Sequence, residues 1–234
     1  MKEQLHIGNL LFTLHRSERR NTIGITVDRD GSLILRAPVS CSSEKIEQVA
    51  REKIVWIYAK LAEKKLLFRP PRPKKFVNGE GFYYLGESYR LLLLDPPVAK
   101  DQIPPLQLRD DWFMLRRDER SQAEYHFVNW YTQKANEWIK VRVRRFASRV
   151  DVQPKGLSVR RLGFRWGSCT NTGGLNFHWR IILLPPEIID YILIHELVHL
   201  HEPYHNSKFW CRVERVIPDY VQRRRWLSEN GGDL

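Results

Sequence analysis

The sequence predicts an α+β protein in two parts. The first is an N-terminal antiparallel β-rich subdomain with a helix, over residues 1–105; the second is a metal-binding domain, over 106–234. Three observations carry this. Short β-rich runs separated by turn residues fill the first part. A long stretch from about Asp118 to Arg149 keeps its apolar residues at helical spacing. A second apolar helix, opened by Pro185-Pro186 and stopped by Pro203, carries His195-Glu196-Leu197-Val198-His199.

In chain order, residues 5–38 read as β structure. Ile23–Val27 and Ser32–Arg36 flank the turn Asp28-Arg29-Asp30-Gly31. A helix capped by Ser43 follows, with Ile46, Val49, Ala50, Ile54, Ile57 and Leu61 as its apolar face. Arg69-Pro70-Pro71-Arg72-Pro73 is a stiff connector. Phe82–Leu85 and Tyr89–Leu94 form a hairpin around Gly86-Glu87-Ser88. Pro96, Pro97, Pro104 and Pro105 mark a second loop. The long helix turns Phe127, Tyr131, Ala135, Trp138, Ile139, Val143, Phe146 and Val150 to the core, and is expected to pack behind the metal helix. Leu157–Leu162 is a strand, 163–174 a Gly-rich loop, and Leu175–Ile182 a second strand. Because this second strand runs straight into the metal helix, it is the expected sheet edge and substrate guide. No long period or low-complexity segment marks a repeat protein.

The His-Glu-x-x-His spacing has a physical meaning. Residues four apart share a helix face, so His195 and His199 can reach one metal ion. Glu196, between them, is placed to act as general base on water. Ile188, Ile189, Ile192, Leu193, Leu197 and Leu200 bury the helix around these three residues. A catalytic zinc needs a third protein ligand and an open position. His201 lies about 200° round the helix from His199 and points away. Glu202 is too close along the helix. His205 follows the break at Pro203, where the chain can turn back, and is preferred; Glu214 on the next helical segment is the alternative. Cys169, in the Gly-rich loop, is expected to support that loop, and fourth-ligand duty is its less favoured role.

Composition limits the classes. Apolar residues make up 42% of 234, with 8 Trp, which suits a packed core and not a disordered chain. No apolar run approaches the roughly 18 residues of a membrane span, and the first residues form no signal core, so a cytoplasmic protein without a membrane partner is expected. Cys41, Cys169 and Cys211 are widely spaced and odd in number, which reads as reduced thiols; Cys211 is expected to fill core. The net charge of +12 suits a polyanionic partner and equally a basic protein without one. Residues 140–165 hold nine Lys or Arg against Asp151. These form either a solvated face or a phosphate-binding surface with Arg160, Arg161 and Arg165.

In order, Arg165-Trp166-Gly167-Ser168-Cys169, Leu175-Asn176-Phe177, Leu184-Pro185-Pro186, Asp190-Tyr191, His195–Leu200 and His205-Asn206-Ser207-Lys208-Phe209-Trp210 resemble the YgjP-like metallopeptidase family, related to the SprT and WLM zinc peptidase domains. The likeness is dense over about 160–228 and weaker before it, where Trp56 and Tyr84-Leu85-Gly86-Glu87 take part. It implies a small zincin-like fold of gluzincin type. It implies one zinc per chain on His195, His199 and His205, Glu196 as base, and a peptide or protein substrate. The turn Tyr204-His205-Asn206-Ser207 carries one residue more than the family's Asn-His-Ser pattern. Some family members are described as metal-dependent UTP pyrophosphatases. The resemblance therefore also implies a nucleotide hydrolase on the same site, with Arg160, Arg161 or Arg165 on the phosphates, although no Walker-type loop supports it. In the peptidase reading Tyr204 and Arg165 are candidate oxyanion or substrate contacts. A DNA-binding protein with a structural zinc is the non-enzymatic alternative, and a site left open beside Glu196 argues against it.

Overall fold

The computed structural model describes residues 3–28, 31–67, 73–96, 104–162 and 165–232. It forms two compact units that divide at residues 71 and 72. The connector Arg69–Pro73 lies largely outside the described residues, as do Pro97 in the second loop and Arg29-Asp30 in the first turn.

The first unit is a four-stranded sheet with two helices. Its strands are β1 (Glu3–Ile7), β2 (Leu10–Ser17), β3 (Gly24–Val27) and β4 (Leu33–Pro38), in the order β1-β2-β4-β3. Alternation sets its inner face: Phe12 and Leu14 on β2, and Leu33, Leu35 and Ala37 on β4, are buried. Helices α1 (Ser43–Glu52) and α2 (Ile54–Leu67) add Ile46, Ala50 and Ile57 to this core. The expected single helix is thus two, broken at Lys53, which leaves helical geometry at φ −97°, ψ 8°. Its cap is Ser42, not Ser43. The Ser42 hydroxyl accepts the Lys45 N–H at 3.3 Å, while Ser43 Oγ accepts from Arg16 at 2.9 Å.

The second unit begins with a sheet of the same strand order. Strands β5 (Gly81–Tyr84), β6 (Glu87–Leu94), β7 (Leu106–Arg109) and β8 (Trp112–Arg116) run β5-β6-β8-β7. In both sheets two antiparallel hairpins join through one parallel pair, β2 with β4 and β6 with β8. The hairpins are therefore antiparallel as expected, and the sheets are mixed. The β6–β8 pairing also moves the expected boundary. Residues 94 and 116 are partners in one ladder, so a domain border at 105 would cut a sheet. The prolines of 96–105 mark a crossover inside the second unit.

After a 3-10 turn at Arg117–Gln122, α3 (Ala123–Val150) buries Phe127, Tyr131, Ala135, Ile139, Val143, Phe146 and Val150. This is the predicted face, except that Trp138 is half-buried. A three-stranded sheet follows, of β9 (Gly156–Arg160), β10 (Gly167–Cys169) and β11 (Gly174–His178), in the order β10-β11-β9. The expected edge strand β11 is therefore central. It pairs antiparallel with β10 and parallel with β9. The edges are β9 and β10, the latter three residues long and hidden within the Gly-rich loop.

From His178 the chain passes through a 3-10 turn (Trp179–Leu183) into α4 (Pro186–Val198), then α5 (Ser207–Val216) and α6 (Tyr220–Asn230). Pro186 opens α4, where its missing N–H costs nothing. Helix α4 is buried nearly all round, which explains an apolar stripe wider than one face. It packs on α3, where Arg142 grips Asp190 with bonds of 2.9 and 2.7 Å. The β5–β6 turn holds its start. Leu85 N–H donates to Ile182 O at 2.8 Å and Gly86 N–H to Leu183 O at 3.2 Å. Gly86 has φ 85°, and a Cβ there would stand 3.0 Å from Pro185 Cα. A side chain at 86 would thus both strain the turn and push α4 away. Among the described residues no helix is long and apolar enough to cross a membrane.

Candidate metal centre

Helix α4 ends one turn earlier than Pro203 suggests. His199 is its C-cap, and the chain tightens into bonds from Leu200 N–H to Leu197 O (3.1 Å) and from His201 N–H to Val198 O (3.0 Å). This tight exit turns the chain early, and Asn206 restarts it as the N-cap of α5, its Oδ1 accepting the Phe209 N–H at 2.9 Å. His205 lies on the turn between.

The result is a convergence of three imidazoles. Ligand nitrogens of His195, His199 and His205 all lie within 4.8 Å of one another. The Nε2 atoms of His195 and His205 are 2.9 Å apart. Two ring lone pairs facing at that distance repel unless a proton or a cation lies between them. His199 Nδ1–H donates to the Glu202 carbonyl at 3.0 Å, which leaves Nε2 as the unprotonated nitrogen. Burial, then His199, His205 and Arg224, hold the His195 imidazole down at about 3. Burial, His199 and Arg224 lower His205 too. Neutral imidazoles are the form that binds metal, so the donor set fits a divalent ion of zinc type. His195 Nδ1 is buried with no hydrogen-bond partner among the described residues.

Beneath the three rings is Phe209, fully buried. Its centroid is 4.9, 4.6 and 4.7 Å from those of His195, His199 and His205. In the sequence Phe209 stands out only within the stretch His205–Trp210 that carries the family resemblance, with nothing local to place it under the histidines.

Glu196 is 7% exposed and sits against the edge strand. A Cβ on Gly167 would stand 2.7 Å from its Cγ, so only glycine lets β10 approach this carboxylate. Burial pushes its pKa up to about 7; the charge of Arg165 and the Cys169 backbone N–H, which donates to the carboxylate, lower it only in part. A carboxyl balanced near neutrality is suited to exchanging protons.

The three histidines and Glu196 line a cleft of about 920 Å³, with β10 and the Thr170–Gly173 turn as one wall and Asp151–Lys155 as another. Arg165 lines it too. Arg160 and Arg161 are exposed and stand outside its walls, so the structure does not bring them to the three histidines. Tyr204 is 76% exposed and also outside the walls. His201 lines the same cleft but stays out of the cluster: its Nε2 bonds Val150 O and Asp151 O at 3.2 and 3.0 Å, closing the C-terminus of α3. Glu202 faces Arg212 at 3.7 Å. Glu214 is exposed on α5 and does not join the cluster. The Cys169 thiol lies outside it as well. It donates to Thr170 O at 3.5 Å, and burial together with Glu196 pushes its pKa up, away from the thiolate that binds metal. Cys211 is exposed, not core, because it falls on the outer face of α5.

An α+β scaffold with three converging imidazoles and a buried carboxylate in one cleft defines a metal-dependent hydrolase. Residues 21–230 match the family model described as YgjP-like, metallopeptidase domain, and the chain belongs to that family. No curated protein matches it. Among solved structures, the metallopeptidase zymogen of Pyrococcus abyssi abylysin is 24% identical, over 41% of this chain and 98% of its own, with a TM-score of 0.37, a likeness too distant to assign roles.

Proposed function

We propose that the chain is a zinc-dependent peptidase in which His195, His199 and His205 hold the metal and Glu196 is the general base. The convergence of the three imidazoles beside a carboxylate buried at the edge of β10 is the observation that carries this reading. Zinc at such a site polarises a carbonyl and lowers the pKa of water. Glu196 accepts a proton from the attacking water on a carboxylate oxygen and passes it to the departing amine. Gly167 and the Cys169 N–H fix the position of that carboxylate. Strand β10, paired on one side with β11, offers its other edge to an extended peptide. Arg165, in the cleft wall, is placed to touch the substrate. The nucleotide reading is the weaker one: of its three candidate phosphate contacts only Arg165 lines the cleft, and Arg160 and Arg161 stand outside it.

The test is cleavage of an unstructured protein by the full chain. Zinc-loaded protein should cut it, chelation should stop cutting, and added zinc should restore it. A folded, zinc-loaded protein that cuts no peptide bond in a broad set of unfolded substrates would contradict the proposal.

A further inference from the structure

We infer that Trp210 is a positioning residue for His205, and through it sets the affinity of the metal centre. This rests on the proposed three-histidine site and adds a residue to it. His205 differs from its two partners. It is exposed, it sits on a turn and not on a helix, and among the described residues no hydrogen bond reaches its Nδ1. His199 has its ring fixed by a carbonyl, and His195 is embedded in α4. For His205 that orienting work falls to ring contacts. Its imidazole stacks on the Trp210 indole with centroids 5.6 Å apart and planes 24° apart, and meets Phe209 edge-on.

The indole is itself held. Tyr220 stacks on it at 5.3 Å and 17°, and the Arg224 guanidinium lies 4.9 Å from its centroid. Both belong to α6, so the third ligand is braced by the last helix through one aromatic ring. Phe209 cannot do this alone, because an edge-on contact at 4.7 Å and 75° leaves the imidazole free to rotate about its own axis. A stacked partner restricts that rotation, and a ring oriented before the metal arrives loses less entropy on binding. Partners that orient a ligand are worth about 10- to 100-fold in metal affinity.

The experiment is zinc Kd by chelator competition for wild type, Trp210→Leu, Trp210→Phe, His205→Ala and the double variant Trp210→Leu/His205→Ala, with thermal unfolding of each metal-free protein alongside. Trp210→Leu should raise Kd about 10- to 100-fold. Trp210→Phe, which keeps a face to stack on, should restore most of the loss. In the His205→Ala background Trp210→Leu should change Kd by less than about 3-fold, since only its looser edge-on contact with His195, 6.0 Å away, remains. A merely structural tryptophan would weaken binding equally in both backgrounds, and that result overturns the inference. Unchanged affinity in Trp210→Leu overturns it while leaving the three-histidine site intact. Unchanged affinity in His205→Ala overturns the site itself. If Trp210→Leu does not fold, a tenfold or greater loss in a folded Trp210→Phe is the overturning result.

Discussion

Helix α4 and the turn that follows it supply the same cluster by different means. On α4, His195 and Glu196 are locked from several sides: α3 through Arg142 and Asp190, the β5–β6 turn against Pro185, and Gly167 of β10 against the carboxylate. On the turn, His205 is exposed and depends on an N-cap and a stack of rings. The difference teaches a division of labour. In the proposed mechanism Glu196, which exchanges a proton, is buried with its position dictated by close packing, and His195, which only presents a lone pair, shares that packing. Where only a lone pair must be presented, an exposed turn suffices and leaves the mouth of the cleft open.

This contrast can be broken at several points. The largest effect is expected at the locked end. Gly167→Ala places a methyl 2.7 Å from Glu196 Cγ and must displace the carboxylate. Peptide cleavage should fall about 100-fold, the scale of a misplaced group of about 1 Å, while bound zinc stays at the wild-type level. Cleavage within a few-fold of wild type would show that the close contact is incidental.

The second concerns pH. The folded pKa of His195 is held near 3, below its ordinary value of 6.5. Between those values the unfolded chain binds the proton that the folded one refuses, so acid favours unfolding. Glu196 works the other way between about 7 and its ordinary 4.5, where the folded chain holds a proton the unfolded one releases, so the metal-stripped protein should lose thermal stability chiefly as pH falls below about 4.5. His195→Gln should flatten that slope, and an equal substitution at exposed His205 should flatten it less. Equal effects would deny the difference in burial.

A smaller effect is expected on the turn. Asn206→Ala removes the α5 cap and should cost about 1 kcal/mol in denaturant unfolding, with a modest loss of zinc affinity. The smallest is His201→Ala, which loses two bonds to the end of α3. It should cost no more than about 1 kcal/mol and leave zinc affinity unchanged, because His201 stays out of the cluster.

The sequence made the helix half of the site legible and much of the rest obscure, for physical reasons. His195, Glu196 and His199 follow from helical spacing, a local property. Burial of the long-helix face followed the same way. The edge strand did not, because strand order is decided by pairing between distant segments. β11 looks like an edge since it leads into α4, yet β9 and β10 cover both its sides. β10 is only three residues long and begins with a glycine, so it reads as loop. The boundary at 105 failed likewise, since parallel pairing of β6 with β8 spans the proline-rich crossover. The support given to Pro185 by Gly86, some hundred residues earlier, has no local signature. Residues 1–105 carry no motif with a chemistry of its own, yet their β5–β6 hairpin holds the start of α4.

The most direct test of the account compares peptide-bond cleavage by wild type and Glu196→Gln at matched zinc content. Gln keeps the size and shape of the side chain and cannot accept the proton. The account predicts a loss of about 100- to 10,000-fold, the usual span of general-base catalysis, with metal affinity little changed. Cleavage by the zinc-loaded variant at the wild-type rate would contradict it.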